Sequence, residues 1–304
     1  IAREAAAAVT VTYTEEPFSA QLRADGPELY APEELNAGTP TDSSTGDVDA
    51  AFATAALKIE QTYSTPAEHN NPLEPHATVA QWDGSVLTLW DSTQGVHAVK
   101  STLAQVLGLE EEQVHVIAPH VGGGFGSKGM PHVHVVMAAL AAQVTDGRPV
   151  KFPVSRQQMY SLTSHRTPTI QRIRLGAADD GRLTAMSLDI VEHTSRIKEF
   201  AEQTPAPFRM MYASPNRRTT TRLAPLDIPV PSWMRAPGEC PGMFGPEVAM
   251  DELAAAAGLD PIELRRRNEP AADPETGKPW SSRHLMECFD LGARRFGWDR
   301  RVTR

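Results

Sequence analysis

Five of the eight residues from position 122 to 129 are glycine, and no other segment constrains the fold as strongly. An apolar run typical of a strand precedes this segment at residues 113–119, and a helical pattern follows it at about 132–145. Glycine permits positive φ and lets backbone N–H groups approach an anion, whose binding the N-terminus of a following helix favours. The segment therefore predicts either an anion-binding loop or a tight turn that packs the helix against the strand.

The identity of the anion is limited by the residues at the end of the segment. A phosphate-binding P-loop ends in Gly-Lys-Ser/Thr, whereas Ser127, Lys128 and Gly129 depart from that order, which argues against an NTPase. A G-x-G-x-x-G pattern at Gly124, Gly126 and Gly129 leaves an NADP-binding domain open, and Ser155-Arg156 could suit a 2′-phosphate. Hairpins rather than a second βαβ unit follow, which disfavours this alternative.

The rest of the chain mixes hairpins with helices and predicts an α+β fold, with mixed sheets and flanking helices. We expect hairpins at 77–90 and 170–191, which turn at Asp83-Gly84 and at 179–181. We expect helices at 2–8, at 96–107 before Gly108, before Gly258, and after the N-cap Asp260. Residues 9–13 alternate like a strand, residues 32–49 are typical of a linker, and residues 204–246 are rich in Pro and Arg and predict irregular structure.

Composition excludes several functional classes. The 304 residues carry a net charge of −9, which gives no basic surface for nucleic acid, and no apolar run approaches the roughly 18 residues of a spanning helix. Cys240 and Cys288 are too few to ligate an iron–sulfur cluster. His69, Glu74 and His76 suggest a metal cluster only weakly, and we expect a structural role for them. His132 and His134 are two residues apart, so on a helix they would point to nearly opposite faces.

Several motifs occur in a fixed order around the glycine segment. They are HNNPLEPHA at 69–77, STQ at 92–94, VGGGFGSK at 121–128, MRAPG at 234–238 and DPIELR at 260–265. This set resembles the molybdopterin-binding large subunit of the xanthine dehydrogenase/aldehyde oxidase family, and it is most similar to the bacterial periplasmic-type aldehyde oxidoreductases. The resemblance covers nearly the whole chain.

The resemblance implies a molybdenum hydroxylase subunit that oxidises aldehydes to carboxylic acids, with water as the oxygen source. The implied cofactor is molybdenum–molybdopterin cytosine dinucleotide, with no direct protein ligand to molybdenum. Electrons would pass to a 2Fe-2S subunit and an FAD subunit, which gives a heterotrimer. The alternatives are a xanthine or N-heterocycle dehydrogenase subunit and a catalytically incomplete cofactor-binding fragment. The compartment would be the cytoplasm, or the periplasm if a partner subunit carries a twin-arginine signal.

The resemblance also implies roles for individual residues. Gln94 would hydrogen-bond an oxo ligand of molybdenum, and Phe125 would place its ring beside the metal. The implied cofactor-binding residues are Gln94, Gly123, Gly124, Phe125, Gly126, Arg235 and Ala236. Residues that could face the substrate are Arg196, Gly129 and Glu239.

The sequence departs from the family pattern at three places. Purine hydroxylases of the family carry a glutamate where this chain has Gly129, so we expect an aldehyde rather than a purine as substrate. Ser127 stands where glycine is usual. The family's general base, a glutamate in a G-x-G-E segment, is not found in residues 1–304.

These departures and the absence of Met at position 1 lead us to expect a piece of a longer protein. Residues 1–31 would be the tail of a preceding α/β hammerhead domain, 32–49 a linker, and 50–304 the first of two molybdenum-cofactor domains. We expect the piece alone to be inactive.

Overall fold

Two β-sheets, of five and four strands, form the framework of the computed structural model, which describes residues 1–301. The helices are α1 (Ala2–Ala7), α2 (Val48–Thr54), α3 (Val96–Leu107), α4 (Val133–Gln143), α5 (Arg156–Leu162), α6 (Ala206–Met211), α7 (Glu239–Ala257), α8 (Pro261–Arg267) and α9 (Leu285–Phe296). The strands are β1 (Glu34–Leu35), β2 (Thr39–Pro40), β3 (Ser43–Thr45), β4 (Leu57–Thr65), β5 (Ala77–Asp83), β6 (Val86–Asp91), β7 (Val114–Ile117), β8 (Val150–Pro153), β9 (Thr169–Ala177), β10 (Leu183–Ser195) and β11 (Arg217–Leu226). The predicted α+β class is confirmed.

The four-stranded sheet has the order β7-β6-β5-β8, with β6 and β7 parallel. Its core is shared with α3 and α4, where buried Leu103 and Val135 pack with Leu87 and Leu89. The helix predicted at 96–107 is confirmed to the residue, because Gly108 ends it in the left-handed conformation. The predicted strand, glycine segment and helix correspond to β7, the loop and α4.

The five-stranded sheet has the order β3-β11-β10-β9-β4 and packs against α7 and α8. Its core includes Ile173 and Leu188 from the strands and Met250 and Leu253 from α7. The hairpin predicted at 170–191 is confirmed as β9 and β10, which pair antiparallel. The two sheets place their loops next to one another, and the glycine segment lies at this junction.

Helix α7, which we expected before Gly258, begins at Glu239 and therefore includes residues that we predicted to be irregular. Its first half contains Pro241, Gly242 and Gly245, a composition that predicts a loop. The glycines are needed because a Cβ at Gly242 would collide with the carbonyl oxygen of Thr204. Close approach to neighbouring backbone therefore overrides helix propensity here.

Three further expectations are wrong. Residues 9–13 form no strand and are exposed; an alternating pattern gives a strand only where a partner strand pairs with it. Residues 32–49 hold β1, β2 and β3, and β3 pairs with β11, so they belong to the fold rather than to a linker. Residues 204–246 contain α6, β11 and the start of α7, and β11 pairs in parallel with β10 over ten residues.

Within residues 1–301, no helix combines the length and the apolar character that crossing a membrane requires.

Candidate functional site

The glycine segment adopts backbone conformations that ordinary side chains rarely take. Gly123 and Gly126 have φ of +89° and +103°, and Phe125 between them has φ of +54°. An added Cβ at Gly126 would lie far inside van der Waals contact with the carbonyl oxygen of Trp233, so only glycine fits there. The loop therefore folds against the chain just before residues 234–238, and two of the sequence motifs meet.

Gln94 lies beneath the same loop, a short distance after the end of β6. Its side-chain amide oxygen Oε1 accepts a hydrogen bond of 3.0 Å from the backbone N–H of Gly126. The backbone N–H of Gln94 donates to the carbonyl of Lys128 at 2.8 Å. Because an N–H can only donate, the atom that faces Gly126 must be the oxygen. The amide NH₂ of Gln94 remains as a donor without an acceptor within residues 1–301, and the residue is exposed.

Residues 234–238, the MRAPG motif, form a curled segment that faces the glycine loop. The N–H of Arg235 donates to the carbonyl of Phe125 at 2.9 Å, and the side chain of Asn70 donates to the same carbonyl at 2.7 Å. Ala236 has φ of +59°, a left-handed conformation that is uncommon for alanine. The structure thus brings together Gln94, the glycine loop and the Arg235-Ala236 pair.

The glycine loop and segment 234–238 contain backbone donors that are not used in hydrogen bonds within the described residues. Within residues 1–301, the N–H groups of Gly123, Gly124, Phe125 and Ala236 have no acceptor. The Phe125 side chain is 47% exposed beside them. Several free N–H groups and one free amide NH₂ suit an anionic, oxygen-rich group that the protein holds without a charged side chain.

An ion pair between a buried lysine and a partly exposed glutamate supports the glycine loop from below, and the sequence did not reveal it. The side chain of Lys128 is fully buried, and its ammonium donates to Glu74 Oε2 and to Ser92 Oγ, both at 2.7 Å. Burial alone would raise the pKa of Glu74, but hydrogen bonds from Lys128, Ser92 and the N–H of Gly122 outweigh it and lower the pKa to about 2. Glu74 in the HNNPLEPHA motif therefore has a structural role.

Arg166 and Glu202 lie behind segment 234–238 and are two further charged residues that sequence reasoning missed. Both side chains are almost entirely buried, and Arg166 Nε lies 3.7 Å from Glu202 Oε1. A lone Arg or Glu in a sequence predicts a surface position, so no local signal could have found them.

The histidines near the loop are arranged differently from our expectation. His132 is the N-cap residue of α4 with extended backbone, so it and His134 do not occupy opposite helix faces. Both rings lie against His76, with ring centroids 5.3 and 5.6 Å from it. Burial lowers the pKa of His76 to about 4 and that of His134 to about 3, so these rings are neutral. In the part of the chain described, no group of three or more His, Cys, Asp or Glu residues could hold a metal ion.

The three residues considered for substrate contact have different surroundings. Arg196 forms ion pairs with Glu28 and Asp227 rather than with the glycine loop. Gly129 lies at the exit of the loop, where its N–H donates to the carbonyl of Gly126 at 3.0 Å. Glu239 begins α7 and is exposed directly after segment 234–238.

Comparison with known families identifies the family to which the chain belongs. The family model of the molybdopterin cofactor-binding domain matches residues 31–269, and the chain belongs to this family. The match spans both sheets, the glycine loop and segment 234–238.

Individual relatives agree with this assignment. The chain is 40% identical to the aldehyde oxidoreductase molybdenum-binding subunit PaoC of Escherichia coli, over 99% of this chain and 40% of that protein. It is 31% identical to the nicotinate dehydrogenase large molybdopterin subunit of Eubacterium barkeri, over 88% of this chain and 64% of the relative. The chain therefore spans about two fifths of the length of the Escherichia coli protein.

Solved structures share the fold. The aldehyde oxidoreductase of Desulfovibrio gigas superposes with a TM-score of 0.81 at 27% identity, over 98% of this chain and 34% of that one. The quinoline 2-oxidoreductase of Pseudomonas putida superposes with a TM-score of 0.85 at 22% identity, over 98% of this chain and 40% of that one.

Proposed function

We propose that this chain is the cofactor-binding part of a molybdenum hydroxylase subunit that oxidises aldehydes to carboxylic acids, with water as the oxygen source. The observation that carries the proposal is the meeting of the Gln94 amide, the glycine loop and the Arg235-Ala236 pair on one surface. Relatives named as aldehyde oxidoreductases, in Escherichia coli and in Desulfovibrio gigas, support the choice of substrate class.

The residues at this surface fit a molybdenum–pterin cofactor. Gly124 and Gly126 allow Gln94 and Trp233 to lie close against the loop backbone, where a Cβ would collide with them, and the free N–H groups offer hydrogen bonds without a protein ligand to the metal. Gln94, residues 123–126 and the Arg235-Ala236 pair would hold the cofactor. When bound, it supplies two-electron redox chemistry and oxygen transfer to the substrate carbon.

The chain's own residues would orient and shield that chemistry. The NH₂ of Gln94 is fixed by the bond from Gly126 and would donate to an anionic oxygen without reorganising, which is how a preorganised donor stabilises developing charge. The exposed Phe125 ring would cover one side of the site and restrict water. Arg196, Gly129 and Glu239 remain proposed substrate residues, and Glu239 is the best placed because it directly follows segment 234–238.

Electrons would leave to partner subunits that carry a 2Fe-2S cluster and FAD. Both cysteines of the chain are free and exposed, which leaves no set of thiolates for a cluster within it. One relative is named as subunit gamma of the 6-hydroxypseudooxynicotine dehydrogenase complex of Paenarthrobacter nicotinovorans, which supports a multi-subunit enzyme. The cytosine dinucleotide form of the cofactor, a cytoplasmic or periplasmic location, and the assignment of residues 1–31 to a preceding domain remain predictions.

A xanthine or N-heterocycle dehydrogenase is the second candidate. A xanthine dehydrogenase molybdenum-binding subunit of Escherichia coli is 31% identical over 85% of this chain, which favours it. The absence of a carboxylate at Gly129 favours the aldehyde enzyme, since recognition of a purine needs polar partners for its ring nitrogens.

The test is metal analysis and turnover of the full-length subunit, expressed with its partner subunits. We expect molybdenum in the purified complex, oxidation of benzaldehyde, and ¹⁸O in benzoate when the solvent is H₂¹⁸O. Cells grown with tungstate provide the matched control and should give an inactive complex. Absence of molybdenum would refute the proposal, and turnover of hypoxanthine but not benzaldehyde would select the second candidate. Normal turnover by the 304-residue chain alone would show that no further domain is needed.

A further inference from the structure

We propose that Arg166, oriented by Glu202, is a positioning residue that holds segment 234–238 in the conformation that receives the cofactor. The inference rests on the proposed function and extends it to two buried residues behind the site.

The first argument is the set of hydrogen bonds from Arg166. Its Nη2 lies 2.9, 2.6 and 3.3 Å from the carbonyl oxygens of Met234, Arg235 and Ala236. Three successive carbonyls can face one nitrogen only where the backbone curls, and Ala236 supplies the curl with its φ of +59°. This conformation costs alanine about 1–2 kcal/mol, which the charged hydrogen bonds offset.

The curl has a consequence for the opposite side of the segment. With the carbonyls turned toward Arg166, the N–H of Arg235 reaches the carbonyl of Phe125, and the N–H of Ala236 has no acceptor in residues 1–301. Arg166 therefore controls which backbone donors face the glycine loop.

The second argument is the position of Glu202. This side chain is fully buried, and its Oε1 accepts the N–H of Gly238 at 2.9 Å while it faces Arg166 Nε. The adjacent Gln203 donates to the carbonyl of Pro237 at 2.9 Å. Arg166 thus holds the first half of segment 234–238, and residues 202 and 203 hold the second half.

The charges around Glu202 make it dependent on Arg166. Burial, together with repulsion from the carboxylates of Glu239 and Glu68, raises the pKa of Glu202 to about 7. Arg166 is the cation that compensates these groups, with Nη1 3.7 Å from Glu68. One planar guanidinium contacts the carbonyls, Glu68 and Glu202 at once, a span that a single lysine ammonium cannot cover.

Arg209 offers a matched control. It is 3% exposed, compared with 4% for Arg166, and it also donates to backbone carbonyls, those of Pro40 and Thr41. Its contacts are with Pro40, Thr41, Thr219 and Glu275 rather than with the glycine loop. Arg209→Lys should therefore reproduce the general cost of altering a buried arginine without disturbing segment 234–238.

The experiment compares Arg166→Lys, Glu202→Gln and Arg209→Lys in the full-length subunit. The first readout is hydrogen–deuterium exchange of residues 232–241 in subunit prepared without cofactor. The second is the molybdenum bound per subunit in the assembled complex, and thermal unfolding is recorded for every variant. Loss of charged hydrogen bonds predicts exchange at least about tenfold faster in Arg166→Lys, with no change in Arg209→Lys.

We expect molybdenum retention to fall in Arg166→Lys and to stay normal in Arg209→Lys. Glu202→Gln should give a smaller rise in the exchange of segment 234–238. If Arg166→Lys does not fold, the exchange of Glu202→Gln serves as the test instead. The inference is overturned if exchange in segment 234–238 is unchanged, or if Arg209→Lys changes it equally. Absence of molybdenum from the wild-type complex would refute the proposed function instead, because the exchange readout does not depend on the metal.

Discussion

The amide oxygen of Gln94 accepts the backbone N–H of Gly126 at 3.0 Å. This single contact decides what the side chain can offer to a ligand. The oxygen is used inside the protein, so the NH₂ group is left as the outward-facing donor. A glutamine at this position is therefore a preorganised hydrogen-bond donor, and its donor and acceptor functions can be separated experimentally.

Gln94→Glu should keep the fold and lose activity. A carboxylate still accepts from Gly126, but it has no hydrogen to donate and adds a negative charge beside an anionic group. Removal of one preorganised donor predicts a fall of about 10²–10³ in kcat for benzaldehyde. Gln81→Glu is the control, because Gln81 is part of β5 and donates to the carbonyl of Gly147. Equal kcat for the two variants at equal molybdenum content would contradict a donor role for Gln94.

Gly124→Ala should be destabilising because of one contact. A Cβ at this position would lie far inside van der Waals contact with Oε1 of Gln94, and overpacking of this kind costs about 1–3 kcal/mol of unfolding free energy. The cost should shrink in a Gln94→Ala background, where the opposing atom is gone. Gly292→Ala in α9 meets no atom within 4 Å and should instead stabilise by about 0.5–1 kcal/mol. Denaturant unfolding of Gly124→Ala, Gln94→Ala, the double variant and Gly292→Ala measures this coupling. If the costs of Gly124→Ala and Gln94→Ala were purely additive in the double variant, the predicted contact would be contradicted.

The Lys128–Glu74 pair should respond asymmetrically to substitution. Glu74→Gln leaves a fully buried ammonium without its counter-charge, which predicts a loss of about 3–5 kcal/mol. Lys128→Met leaves a carboxylate that is 40% exposed and can be solvated, so the loss should be smaller, about 2–3 kcal/mol. Chemical denaturation checks the order, with Lys151→Met as a surface control expected within about 0.5 kcal/mol of wild type. The reverse order would mean that burial of Lys128 is not the dominant cost.

Local signals explain what could be predicted from the sequence. Gly108 and Asp260 terminate helices through their own backbone or side chain, so the ends they mark were found. The glycine loop was recognised because positive φ is a property of single residues. Strand β11 was missed because its partners, β3 and β10, are set by the tertiary fold.

The residues of the candidate site also fall into those that the sequence indicated and those that it did not. Gln94 and Arg235 were singled out through motifs that resemble a known family, and both contact the glycine loop; their roles toward a cofactor stay predictions. Arg166 and Glu202 carry no local signal, because a charged residue is buried only when distant segments supply its partners. The correction for His132 has the same origin, since its N-cap conformation depends on where α4 begins.

The stability of the chain should fall in mild acid because of a buried histidine pair. His165 and His193 lie with their Nε2 atoms 2.9 Å apart, so one ring must donate and the other must accept. Burial lowers the pKa of His165 to about 4 and that of His193 to about 3, from 6.5. Between pH 6.5 and about 4 the unfolded chain binds more protons than the folded chain, so unfolding free energy decreases as pH falls.

At about 1.4 kcal/mol per pKa unit, the loss below the folded pKa is roughly 3 kcal/mol for His165 and roughly 5 kcal/mol for His193. The double variant His165→Asn/His193→Asn keeps a donor and an acceptor but cannot ionise, so its unfolding free energy should depend less on pH than that of wild type. Denaturant unfolding at several pH values gives the unfolding free energy of wild type and of the double variant. Groups that titrate elsewhere contribute equally to both proteins, so their contributions cancel in the difference. His115→Asn repeats the substitution at an exposed position and should leave the wild-type slope unchanged. If the double variant kept the full slope, acid sensitivity would have to come from other buried groups.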